Sequence, residues 1–148
     1  MSKTHGALGN LVAEDESVAG AIARATKSVD PDLILVVMPG MATERAGEAA
    51  GLRLAREIFA DRAYQDNGNL VPRSEPGAVI HDAEAAAASV LAMLEEGAVI
   101  TRSGKRIKGR IDTICVHGDN PAGVQMARAL RTSLEAAGIE IAPFHHFL

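Results

Sequence analysis

Residues able to move protons or hold charge gather at a few places in the 148-residue sequence. Lys3, His5 and Asn10 open the chain, Glu57, Asp61 and Arg62 accompany a short apolar segment, and His117 and Asp119 follow another. Arg73 and Ser74 lie in a long polar stretch between them. A histidine at a strand end is a natural acid–base group, because its pKa lies near neutrality. A carboxylate such as Asp61 or Asp119 would orient it, and the cations would hold an anionic substrate. Each also has a plainer explanation. Lys3 and His5 sit near a terminus, where disorder is the default. Asp61–Arg62 could be a surface ion pair of little worth. Asp119 or Asn120 could simply cap a helix, and Arg73 and Ser74 could decorate their loop.

Other candidates carry less. His145 and His146 are adjacent, so their side chains point apart, and no third ligand stands at helical spacing; no metal site is expected. Cys115 lies inside a strand run and reads as a small buried hydrophobe. Neither a Walker loop nor Gly-x-Gly-x-x-Gly occurs, so the chain has no nucleotide signature of its own.

These groups meet only if the fold carries them to one place. A helix is expected over Asp15–Lys27, with Val18, Ile22 and Ala25 on one face and acidic residues at its start. Asp30-Pro31 ends it. Leu33–Met38 is a continuous apolar run, as a strand buried on both faces of a parallel sheet reads. Thr43 is expected to cap a helix through Ala50, stopped by Gly51. Arg56–Ala60 reads as a short strand. The polar stretch Asp61–Pro76 follows, with a turn at Asp66-Asn67-Gly68; loops of that length are usually functional or disordered. Asp82 should cap a helix over Ala83–Glu96, with Ala87, Val90, Leu91 and Leu94 inward and Gly97 as its stop. Val99–Ile111 reads as a β-hairpin turning at Ser103-Gly104. Thr113–Val116 is another strand. Pro121 then opens a helix with Met126, Leu130, Leu134 and Ala137 inward, ended by Gly138. Strand, loop and helix alternate, which predicts an α/β domain spanning 1–148, its sheet largely parallel with an added hairpin. In such folds the ligand site lies beyond the C-terminal ends of the strands, where the polar groups above fall.

Composition narrows the classes. A net charge of −4 argues against a general nucleic-acid or anionic-membrane binder, which needs a basic excess. One tyrosine, three phenylalanines and no tryptophan leave little for stacking single-stranded bases. No apolar run approaches a membrane span, and no signal-peptide layout opens the chain. One cysteine makes no internal disulfide, so a soluble cytoplasmic protein is the default expectation.

Four segments in order resemble the LamB/YcsF family. Lys3-Thr4-His5-Gly6-Ala7-Leu8-Gly9-Asn10 is similar to its KPHGALYN motif, and Glu57–Tyr64 to its E-x-F-A-D-R-x-Y motif. Leu70-Val71-Pro72-Arg73-Ser74 with Pro76–Ile80 resembles the next segment, and Ile114–Asp119 the closing one. The set covers the chain from Lys3 to about Ile139 and is specific as a combination. Thr4 and Gly9 stand where the motif has proline and tyrosine, which bears on loop rigidity and on a substrate contact.

The resemblance implies a distorted (β/α) barrel, of which this chain looks like a C-terminal portion, since family members carry further Asp- and His-containing motifs ahead of these. Part of a barrel leaves strand edges unpaired, so self-association or complementation by a separate N-terminal piece is expected. The family's activity would be that of the 5-oxoprolinase A subunit: ATP-dependent opening of 5-oxo-L-proline, a lactam, to L-glutamate with two partner subunits. Within that scheme His117 or His5 would be the acid–base group, and Asp61 or Asp119 its orienting carboxylate. Lys3, Arg62 and Arg73 would hold carboxylate or phosphate charge, and Asn10, Glu57 and Ser74 would complete the substrate site. The competing expectation is a catalytically inactive remnant that keeps a partner-binding surface. A metal-dependent amidase or deacetylase follows only from analogy of fold.

Overall fold

The computed structural model describes residues 1–118 and 121–143. Ten elements follow along the chain: α1 (Gly6–Glu14), α2 (Glu16–Val29), β1 (Ile34–Val37), α3 (Ala42–Ala49), β2 (Arg53–Phe59), α4 (Ala83–Glu96), β3 (Ala98–Ile100), β4 (Arg106–Lys108), β5 (Thr113–Cys115) and α5 (Pro121–Ala136). The apolar run at 33–38 yields β1, whose four residues are all buried. A parallel sheet forms in the order β1-β2-β5, with Ile34 opposite Arg53 and Phe59 opposite Cys115. Ser2 extends it beyond β1, donating from its N–H to Ile34 O and accepting from Val36 N. The hairpin β3–β4 stands apart as its own antiparallel pair.

Period-two alternation along β2 sorts its residues onto two faces. Leu54 packs with Ala23, Leu35, Val37 and Leu52 beneath α2 and α3, and Ile58 joins the larger core that α4 and α5 form. α3 comes close enough that a Cβ on Gly47 would lie 2.6 Å from Leu54 Cδ2. On the other face Ala55 meets Ile34 and Val36. Glu57 and Phe59 continue that face towards the C-terminal end of the sheet, where Lys3 also stands, just past the Ser2 bridge.

The expected elements form with some differences. α1 occupies a stretch for which disorder is the default expectation; it buries only Val12 and Ala13 and has no side-chain cap, so its periodicity is faint. Asp15 ends α1 and begins α2, accepting from Ser17 N and Val18 N. Thr43 lies inside α3 rather than capping it, because its hydroxyl donates to Val12 O at 2.8 Å and fastens α1 to α3. β2 starts three residues earlier than expected, because it pairs in parallel with β1 from Arg53 onward. Asp82 does cap α4, and Gly97 ends it with φ of 56°. Leu91 and Leu94 are only half-buried and Ala137 is exposed, while Ala86 and Met93 fill the core. β5 is half-exposed rather than buried, since only β2 pairs with it among the described residues. Among the described residues no helix is long and apolar enough to cross a membrane.

Candidate functional site

Beyond the C-terminal ends of the strands lies a cavity of about 690 Å³. Lys3, His5, Asn10, Glu57, Arg62, Arg73 and His117 all line it, from four separate stretches of chain. Asp61 stands behind them. It is 7% exposed and holds His117 Nδ1 at 2.7 Å from Oδ2 and 2.9 Å from Oδ1. Engaging Nδ1 as a donor to the carboxylate presents Nε2 to the cavity as the basic nitrogen. Phe59 stacks on the imidazole, centroids 5.6 Å apart and planes at 16°, which fixes the ring's orientation. His117 is thus held in the geometry that acid–base chemistry requires. His5 is exposed, precedes α1 and makes no side-chain cap bond, so it lines the cavity without an orienting partner of this kind.

The cations divide by what they already bind. Lys3 Nζ is 2.5 Å from Glu57 Oε2, 3.7 Å from Cys115 Sγ and 5.4 Å from the centre of the Phe59 ring. Arg62 is buried and spends its guanidinium on backbone, donating from NH2 to Val71 O at 2.6 Å and from Nε to Ala78 O at 3.3 Å. Burial and the nearby charge of Arg73 push its pKa down. It pins both sides of the loop that carries Arg73, so the long polar stretch is an ordered loop with a clamped neck. Tyr64 and Leu70 bridge across the same loop, and the buried Tyr64 hydroxyl accepts from Phe59 N at 2.7 Å. Burial raises that phenol well above its usual range. Arg73 is exposed at the mouth, in no ion pair among the described residues, and leaves a guanidinium for an incoming anion.

Three expectations need revision or fall elsewhere. Ser74 is exposed on the loop and does not line the cavity, because the turn at 72–75 faces it outward. Asn10 lines the cavity, but the contact it is seen to make is through its carbonyl, which accepts from Asn69 Nδ2 at 3.4 Å. Asp119, His145 and His146 lie outside the described residues. Two further contributors are not evident from sequence. Phe59 reads there as strand filling only, yet it touches both Lys3 and His117. Cys115 is half-buried and lines the cavity; burial and Glu57 push its thiol pKa up, so it stays a thiol that accepts from Lys3. Its place as the last residue of β5 is the signal that could have found it. Among the described residues no group of three or more His, Cys, Asp or Glu side chains is arranged to hold a metal ion.

The chain is similar to known proteins over nearly its whole length. The profile of the LamB/YcsF family matches residues 1–148. Over 142 residues the sequence is 53% identical to the 5-oxoprolinase A subunit of Nitrobacter hamburgensis and 55% identical to that of Rhodopseudomonas palustris, in each case covering 96% of this chain and 56% of the relative. A crystal structure of a lactam utilization protein from Thermus thermophilus superimposes with a TM-score of 0.81 at 45% identity, covering 94% of this chain and 55% of that one. The chain thus spans just over half the length of these relatives.

Proposed function

The chain belongs to the LamB/YcsF family, and from that premise we propose that it is the lactam-opening subunit of an ATP-dependent 5-oxoprolinase. The Asp61–His117 pair at the cavity carries the reading. A lactam is a poor electrophile because attack destroys amide resonance. ATP would activate the amide oxygen by phosphorylation, a step we assign to the two partner subunits, since no phosphate-binding loop occurs in this sequence. His117 Nε2 takes a proton from water as it adds to the carbonyl carbon, and Asp61 stabilises the imidazolium that forms. Arg73 binds the carboxylate of 5-oxoproline, and Arg62 holds the Arg73 loop in place.

In this reading the 148 residues form one domain, a LamB/YcsF unit whose parallel strands are part of a (β/α) barrel. The outer edge of β5 supports association with another copy or with a separate polypeptide that completes the sheet. The cytoplasm, where ATP is available, is the compartment that suits the reaction. The second reading is a catalytically inactive family member that binds the partner subunits, in which the half-exposed edge of β5 serves as a docking surface.

ATP-dependent glutamate release from 5-oxoproline separates the two, measured with this chain mixed with both partner subunits and a full-length family member as control. Release above the partner-only background supports the enzyme. A folded chain that gives none, beside a working control, overturns it in favour of the inactive, partner-binding reading.

A further inference from the structure

Lys3 differs from the cavity's arginines in what it already touches. Its ammonium has three N–H donors. Glu57 engages one and Cys115 a second, leaving one for a molecule in the cavity. Glu57 is itself buried, at 8% exposure, so the ammonium's charge is balanced on the spot. A neutralised pair offers little net attraction to a carboxylate or phosphate, which suits Arg73 better. What Lys3 still offers is a proton, held in a fixed place.

We propose that Lys3 is the general acid that protonates the departing ring nitrogen, with Glu57 as its positioning partner. The inference rests on the lactam-opening reading above. Phe59 supplies the geometry, since Lys3 Nζ lies 5.4 Å from its centre and His117 stacks against the same ring. Two pairs, Asp61–His117 and Glu57–Lys3, thus border one cavity, and both approach the same aromatic ring.

The chemistry requires both. After His117 has taken a proton from the attacking water, the tetrahedral carbon bears a hydroxyl, the phosphorylated oxygen and the ring nitrogen. The hydroxyl releases its proton to solvent and its electron pair closes the new C=O, the carbon–nitrogen bonding pair moves onto nitrogen, and a proton passes from Lys3 Nζ to that nitrogen. The γ-glutamyl phosphate so formed is cleaved by a second water to glutamate and inorganic phosphate. Without the proton the nitrogen would leave as an amide anion, far too basic to depart. An alkylammonium is matched in acidity to the alkylamine being released, which favours transfer in the transition state. Solvent then returns the proton held by His117 to Lys3.

The test is glutamate release by this chain assembled with both partner subunits, comparing wild type, Lys3→Arg and Lys3→Ala. Lys3→Arg keeps the charge and the Glu57 pair but cannot give up a proton at neutral pH, so it guards against loss of folding. Both variants should lose about 100-fold in kcat with KM nearly unchanged. Ethylammonium should restore Lys3→Ala about tenfold, whereas tetramethylammonium, equally charged but without a proton to give, should not. Wild-type kcat in Lys3→Arg, a rise confined to KM, rescue by both cations, or rescue by neither each overturns the assignment. A wild-type assembly that releases no glutamate overturns the functional reading itself, and this inference with it.

Discussion

Neighbouring residues of β2 carry two charged groups that behave differently. Arg56 points to the helix-covered face. Its guanidinium contacts Glu44, Glu48 at 2.9 Å and Asp112 at 3.8 Å, while its N–H donates to Asp112 Oδ2 at 2.9 Å. Asp112 is also held by Arg110. Burial works against the Arg56 charge, yet Glu44, Asp112 and Glu48 together hold the guanidinium more firmly protonated than usual. None of its carboxylate partners touches the cavity. Glu57, one residue on, points to the other face and binds Lys3, which keeps a donor for the cavity. The first group is closed and fastens α3 and the approach to β5 onto β2. The second is open on one side and therefore available for chemistry. Alternation along a strand suffices to separate fastening from function.

Substitutions should split these groups. His117→Ala removes the acid–base group and should lower glutamate release per folded molecule by about a thousandfold, with a loss of stability of about 1–2 kcal/mol from leaving the buried Asp61 carboxylate without its donor. Steady-state kinetics beside a melting curve checks both halves; retained activity would remove His117 from the mechanism. Arg56→Ala should do the reverse. It leaves three carboxylates without their shared cation, at a cost of about 3 kcal/mol in unfolding free energy. Activity per folded molecule should stay at the wild-type level. Denaturant unfolding measures the first quantity, and a lasting loss of turnover in the folded fraction would mean that the Arg56 cluster is not merely a fastening.

That split is only half legible in the sequence. Strand endings announce where chemistry lies, because a parallel sheet sends its loops to one end, and Asp61, His117, Glu57, Lys3 and Arg73 all border or back the cavity there. Which partner each chooses is not legible. Asp61 beside Arg62 in sequence suggests an ion pair, yet Arg62 turns to the carbonyls of Val71 and Ala78 and Asp61 pairs with His117, 56 residues away. Short β5 reads as buried because its composition is apolar, but burial of a strand depends on what pairs with its edge. α1 escapes notice for a related reason: its stability comes from Thr43 and the packing of Val12 and Ala13, contacts that local periodicity does not record.

A third charged group extends the comparison with a smaller effect. Asp66, in the turn of the long loop, accepts at Oδ1 from Ser103 Oγ at 2.6 Å and from Thr101 Oγ1 at 2.7 Å, tying the loop to the β3–β4 hairpin. Ser103 and then Thr101 favour the carboxylate and hold its pKa below the ordinary 3.8. A depressed folded-state pKa means that the native protein binds this proton less readily than the unfolded chain. The stabilisation is therefore fully present above the ordinary carboxylate range and is lost as pH falls through the folded value. Asp66→Asn should lower the thermal midpoint at neutral pH by a small amount, because the site is exposed and solvent screens it. The wild-type and variant curves should then converge below about pH 4. Melting curves across that range decide the point. A gap of constant size at neutral and acid pH would show that the carboxylate's charge contributes nothing and that only its shape matters. Like Arg56, this group has its partners already, so glutamate release should not follow the change.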